Sequence, residues 1–80
     1  MTVTILAFGI AKDIFGASSI DIELPADALA SDLKLLLEDK YPRLKQIRSY
    51  LLAVNNEYAN DDLVLDSRDE IAVIPPVSGG

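Results

Sequence analysis

Only one stretch of this sequence carries apolar residues at helical spacing over more than two turns. Leu29, Leu33, Leu36 and Leu37 share one face of a 3.6-residue period, while Asp32, Lys34 and Glu38 are expected to turn to water. Pro25 closes the segment before it, and Asp27 or Ser31 is placed to cap the helix, because a short side-chain oxygen can accept a free N–H of the first turn. Tyr41-Pro42 stops it, since the residue before a proline is pushed out of the helical region. The rest of the 80 residues reads mainly as strands, leaving one main helix to lay over one sheet. That is a two-layer α+β arrangement.

The strand patterns fill in the order. Thr2 to Gly9 is apolar on both faces, with Val3, Ile5 and Ala7 on one side and Leu6 and Phe8 on the other by the two-residue period. Ala11 to Gly16 makes one helical turn, Ile14 and Phe15 tucked in and Gly16 closing it. Ser19 to Leu24 alternates Ile20, Ile22 and Leu24 against Ser19, Asp21 and Glu23, a half-buried strand that pairs antiparallel with the first across a short connection. After the helix, Arg43 to Tyr50 reads as a loop or short turn held by Leu44 and Ile47. Leu51 to Val54 is a strand, Asn55-Asn56 a turn that tolerates positive φ, and Tyr58 the centre of a short strand. Glu70 to Ile74 is the last strand, ended by Pro75-Pro76, neither of which can donate to a ladder. The expected order is β-β-α-β-(β)-β with a mixed sheet, one domain over 1–80 and a tail over 75–80.

Composition removes most catalytic chemistry. There is no Cys and no His, hence no disulfide, no catalytic thiol, no imidazole base and no usual zinc ligand. Lys and Arg number 7 against 13 Asp and Glu, a net charge of −6, which opposes a phosphate-binding role and a nucleic-acid partner. Met1-Thr2-Val3-Thr4-Ile5 lacks the basic and long apolar regions of a signal peptide, and no apolar run approaches the roughly 18 residues that span a bilayer. The expectation is a soluble, cytoplasmic protein with no membrane partner, no bound metal and no bound cofactor.

The ending Pro75-Pro76-Val77-Ser78-Gly79-Gly80 is the informative feature. A Gly-Gly end arises by chance in roughly 0.5% of chains, so its setting has to add weight. Two prolines stiffen the exit from the sheet, and no apolar pattern follows to pin the last residues. Glycine suits an arm that enters a narrow site, because a backbone without Cβ can lie flat against the walls. The reactive group is then the α-carboxylate of Gly80. A carboxylate is a poor electrophile, so a partner enzyme has to activate it, most simply as an acyl-adenylate, before it accepts sulfur or a lysine amine.

Other candidates are weaker. Asp61, Asp62, Asp66, Asp69 and Glu70 lack the glycine and alternate-residue spacing of a calcium loop, and read as a solvated loop that steers toward a basic partner. Five of the seven basic residues fall between Lys34 and Arg48, interrupted by Glu38 and Asp39, a mixed surface. Leu6, Phe8, Ala72 and Ile74 fall on the sheet face away from the helix. An apolar patch there is a docking site unless Ile47 or Leu65 covers it.

These pieces resemble a known family, the small sulfur-carrier subunit of molybdopterin synthase, of the ubiquitin-like β-grasp fold. The resemblance runs the whole length: Val3 to Gly9, Leu33 to Pro42, Leu52 to Asn55, and most specifically Asp69 to Gly80 with its Pro-Pro-Val-Ser-Gly-Gly ending. It implies that an ATP-using, E1-like adenylyltransferase activates Gly80 and that a sulfur donor converts it to a thiocarboxylate. It further implies that the tail, Pro75 to Gly79, inserts into the large synthase subunit, where sulfur passes to a pterin precursor. Phe8 and Ile74 match the family's partner-facing surface, Ile74 standing where an aromatic is common. Two other readings stay open: a ubiquitin-like modifier joined to lysines through Gly80, and a carrier for another pathway such as thiamine synthesis or tRNA thiolation.

Overall fold

The alternation in the first strand sets the two faces of the sheet. In the computed structural model, which describes residues 1–47 and 50–75, β1 (Thr2–Ala7) buries Val3, Ile5 and Ala7 and leaves Thr2 and Thr4 exposed. Phe8 and Gly9 lie past its end. Gly9, at φ +56°, begins the one-turn helix α1 (Ile10–Phe15), and Gly16 closes it in the left-handed region. β2 (Ser19–Glu23) returns antiparallel to β1, with Val3 opposite Ile22 and Ile5 opposite Ile20.

The main helix α2 (Ala30–Lys40) turns Leu33 and Leu37 fully into the core. Neither Asp27 nor Ser31 caps it. Its N-cap is Leu29, whose N–H donates to Asp32 Oδ2 at 2.9 Å, and the next two amides donate to a distant loop, Ala30 to Leu63 O at 2.9 Å and Ser31 to Asp61 O at 3.0 Å. With those free N–H groups satisfied by the loop, no oxygen-bearing side chain is needed at the cap. Asp27 instead sits at positive φ in the preceding turn. The helix ends at Tyr41, and Pro42–Gln46 forms a 3-10 turn that buries Leu44.

β3 (Leu51–Val54), β4 (Glu57–Tyr58) and β5 (Glu70–Ile74) complete a five-stranded sheet in the order β2-β1-β5-β3-β4. Asn55 and Asn56 both take positive φ in the β3–β4 turn. β1 and β5 pair parallel at the centre, and the remaining pairs are antiparallel. The sheet is thus mixed, with α2 carrying the chain from one side of the central pair to the other. One helix against a five-stranded mixed sheet is the α+β, β-grasp architecture expected. Its core gathers Val3, Ile5, Ile22, Leu33, Leu37, Leu44, Leu52, Leu65, Ile71 and Val73. The Phe15 and Tyr41 rings, 4.8 Å apart between centroids, close one end.

Two helix residues expected in water are engaged elsewhere. Glu38 accepts the Tyr50 hydroxyl, and Lys34 lies half-buried, 3.2 Å from Asp61 and over the Tyr50 ring. A charge beside a buried phenol gains a partner, which a helical wheel does not register. Burial, then the hydrogen bond to Glu38, then the charges of Glu38 and Asp61 push the Tyr50 hydroxyl above the ordinary tyrosine range. A raised folded pKa contributes stability that is complete below the unfolded value, near pH 10, and is lost as pH rises beyond it, because the unfolded chain then releases a proton the folded chain keeps. Above pH 10 the wild type is therefore expected to lose stability relative to Tyr50→Phe by at most about 1.4 kcal/mol per pH unit. Urea titrations of both proteins across that range check it; parallel pH profiles would refute the buried-phenol account.

Candidate docking face and tail exit

The sheet face away from α2 is built in rows by the strand register. Leu6 lies opposite Ala72, Ala72 opposite Ala53, and Ala53 opposite Tyr58, giving one row across four strands. Ile74 sits opposite Leu51 in the next row, where continuing the β1–β5 register places Phe8 on the far side of Ile74. Leu6, Phe8, Ala53, Tyr58, Ala72 and Ile74, together with Asn56 and Glu70, line a groove of about 340 Å³. Phe8 is 51% exposed and Tyr58 69% exposed, while Leu6, Ala72 and Ile74 are half-buried. Large exposed aromatics beside small floor residues make a shallow apolar surface with a raised rim.

The opposite end of this face is polar. Thr4 donates to Asp21 at 2.9 Å, and Glu70 stands opposite Thr4. Asn55 fixes the start of β5: its Oδ1 accepts the Glu70 amide at 3.0 Å, and its Nδ2 donates to Asp69 at 3.0 Å.

All four residues assigned from sequence to this face, Leu6, Phe8, Ala72 and Ile74, fall on it and line one groove. Sequence reading did not include Ala53, Asn56 or Tyr58. Their β3–β4 segment is marked in the sequence, but only its register against β5 decides which of its residues join the face. Neither candidate cover lies here: Leu65 is buried in the helix-side core, and Ile47 packs against that core.

The exit of the last strand is held at one corner. Gly9 and Pro75 are the next equivalent positions after Ala7 opposite Val73, and a Cβ built on Gly9 would stand 3.1 Å from Pro75 Cγ. Pro75 is half-buried there. Pro76, Val77, Ser78, Gly79 and Gly80, the tail and its proposed reactive end, lie outside the described residues.

Three carboxylates of the acidic loop are engaged, two of them within the loop and one by α2. Asp66 Oδ1 accepts the Arg68 amide at 2.8 Å, Asp69 Oδ2 accepts the Asp66 amide at 2.8 Å, and Asp61 meets Lys34. The Arg68 amide, and then its side chain, hold the Asp66 carboxyl below its usual range. Among the described residues no cluster of three or more acidic, His or Cys side chains is arranged to hold a metal ion, and no helix is long and apolar enough to cross a membrane.

Comparison with known proteins adds identity to this geometry. The profile of the ThiS family matches residues 5–80. A molybdopterin synthase sulfur carrier subunit from Dictyostelium discoideum is 45% identical over 80 residues, covering 95% of this chain and 93% of that protein. Among solved structures, a protein described as molybdopterin converting factor subunit 1 of Pyrococcus furiosus superposes with a TM-score of 0.88 at 26% identity, covering 96% of this chain and 99% of its own. One chain of a complex of subunits 1 and 2 of the molybdopterin-converting factor from Helicobacter pylori gives 0.71 at 25% identity, covering 100% of this chain and 100% of its own. SAMP1 of Haloferax volcanii gives 0.85 at 22% identity, also fully covered; at that identity the likeness is one of fold.

Proposed function

The chain belongs to the ThiS family, and on that premise we propose that it is the sulfur-carrier subunit of a molybdopterin synthase, with the Gly80 carboxylate as its reactive group. The observation that carries the reading is where the last strand ends. β5 runs parallel to β1, so Ile74-Pro75 emerges beside Phe8 and Gly9, at the apolar end of the open face. A partner docked on Leu6, Phe8, Ala72 and Ile74 is thereby placed next to the start of the Pro75–Gly80 tail. The names of the relatives supply the chemical class, and the two-subunit Helicobacter pylori complex supplies a precedent for a large-subunit partner.

The chemistry needs no side chain of this chain. One Gly80 carboxylate oxygen attacks the α-phosphorus of ATP in an E1-like adenylyltransferase and pyrophosphate leaves. A sulfur nucleophile then displaces AMP, leaving a thiocarboxylate. Inside the large subunit the thiocarboxylate sulfur bonds to a carbon of the pterin precursor as an oxygen substituent leaves, and water then cleaves the sulfur–acyl bond, leaving sulfur on the precursor and restoring the Gly80 carboxylate. This chain contributes the docking face, the aimed tail and the end group, while ATP belongs to the activating partner.

Intact mass measures the central step. Protein isolated from cells with an active pathway is expected to carry sulfur in place of one terminal oxygen on part of the population. A single plain-carboxylate species from such cells counts against the carrier reading. Lysine conjugates through Gly80, without transfer to the pterin precursor by purified large subunit, would establish the modifier in its place.

A further inference from the structure

We propose that Gly9 is a positioning residue for the tail: by carrying no Cβ, it lets Pro75 seat against the β1–α1 corner and so sets the direction in which the chain leaves the sheet. The proposal rests on the carrier reading and adds to it a residue 71 positions away from the reacting end.

Two independent features of Gly9 meet at this corner. The first is its backbone. At φ 56° and ψ −133° it occupies close to the mirror image of the polyproline conformation, a region open to glycine and closed to L-residues. That conformation turns the chain from β1 straight into α1. The second is its neighbour, since Pro75 Cγ would meet a Cβ at 3.1 Å, tighter than ordinary van der Waals contact.

The corner's own framework is fixed. Ala11 and Phe15 of α1 are buried in the core, the Ala11 amide donates to Phe8 O, and the Ala7 amide donates to Ser18 O at 2.8 Å. Pro75 is the less constrained side. It has no N–H to extend the ladder past Ile74. A side chain at position 9 therefore displaces Pro75 rather than α1. The five residues beyond Pro75 can reach at most about 17 Å, so a rotation of about 10° at their base moves an extended terminus by about 3 Å. A misplacement of about 1 Å at a reacting centre can slow chemistry about a hundredfold. The docking face is untouched by such a rotation, so binding and transfer separate.

The test is single-turnover sulfur transfer from the thiocarboxylated chain to the pterin precursor in a saturated complex with the large subunit, measured beside the affinity of that complex. Gly9→Ala is expected to slow transfer at least tenfold while the affinity stays within about twofold. In the Pro75→Ala background, where the Cγ is gone, the same substitution is expected to cost transfer at least threefold less, while its loss of thermal stability persists because the φ strain remains. Equal losses of transfer in both backgrounds, or transfer at the wild-type rate by a folded Gly9→Ala chain, would overturn the proposal. If Gly9→Ala does not fold, Pro75→Ala alone decides, read as the transfer rate within the saturated complex: a rate at least threefold slower supports the seat, and a wild-type rate overturns it. Wild-type protein that binds the large subunit yet transfers no sulfur overturns the carrier reading itself, a result distinct from all of these.

Discussion

A chain lacking Gly80 is expected to unfold at the wild-type temperature and to transfer sulfur at least a hundredfold more slowly. The core explains the first half. Every buried hydrophobic core residue among those described lies at or before Val73, and a glycine has no side chain to add to a core, so a change within about 0.5 kcal/mol is the expected result. Reach explains the second half. Removing one residue withdraws the terminal carboxylate by about 3.5 Å, and reacting atoms have to be held about 3–3.5 Å apart, with large losses for smaller errors. Thermal denaturation together with single-turnover transfer by purified partners checks both halves. Transfer within tenfold of wild type would show that the end group is not the sulfur-bearing position, and a large drop in melting temperature would show that the tail is structural.

Phe8→Asp is expected to weaken binding to both the large subunit and the activating enzyme at least tenfold, with folding retained. Phe8 is 51% exposed just beyond β1, at the edge of the groove and beside the tail exit. Burying a side chain of this size in an interface typically contributes about 1.5–3 kcal/mol, and each 1.4 kcal/mol is about tenfold in affinity. A carboxylate there adds charge to a chain already at −6, on a face whose far end carries Asp21 and Glu70. Calorimetric titration against each partner, with a circular dichroism melt of the variant, reads the two effects separately. Undiminished affinity for the large subunit would move its docking surface off this face.

Much of this protein was legible locally. Leucines at 29, 33 and 37 placed the one long helix, and Tyr41-Pro42 ended it. The two-residue alternation in β1 separated Val3 and Ile5 from Leu6 and Phe8, and the Asn55-Asn56 pair marked its turn. These signals are local because helix and strand periods, proline's missing donor and asparagine's tolerance of positive φ act within a few residues. The resemblance of the Pro75–Gly80 ending then pointed to the family that the comparison bears out.

What the tertiary structure alone decided joins positions far apart in the chain. The first amides of α2 are taken up by carbonyls of Asp61 and Leu63, so neither Asp27 nor Ser31 is its cap. Glu38, half-buried, accepts the Tyr50 hydroxyl. Ala53 and Tyr58 join the face of Leu6 and Ala72 through the β5–β3–β4 register, and Gly9 meets Pro75 because β1 and β5 run parallel in step. Each of these contacts depends on which distant segments become neighbours and, for the strands, in what register. A local period tells a residue which way to face; only the assembled sheet, with α2 carrying the chain over its central pair, determines what it faces.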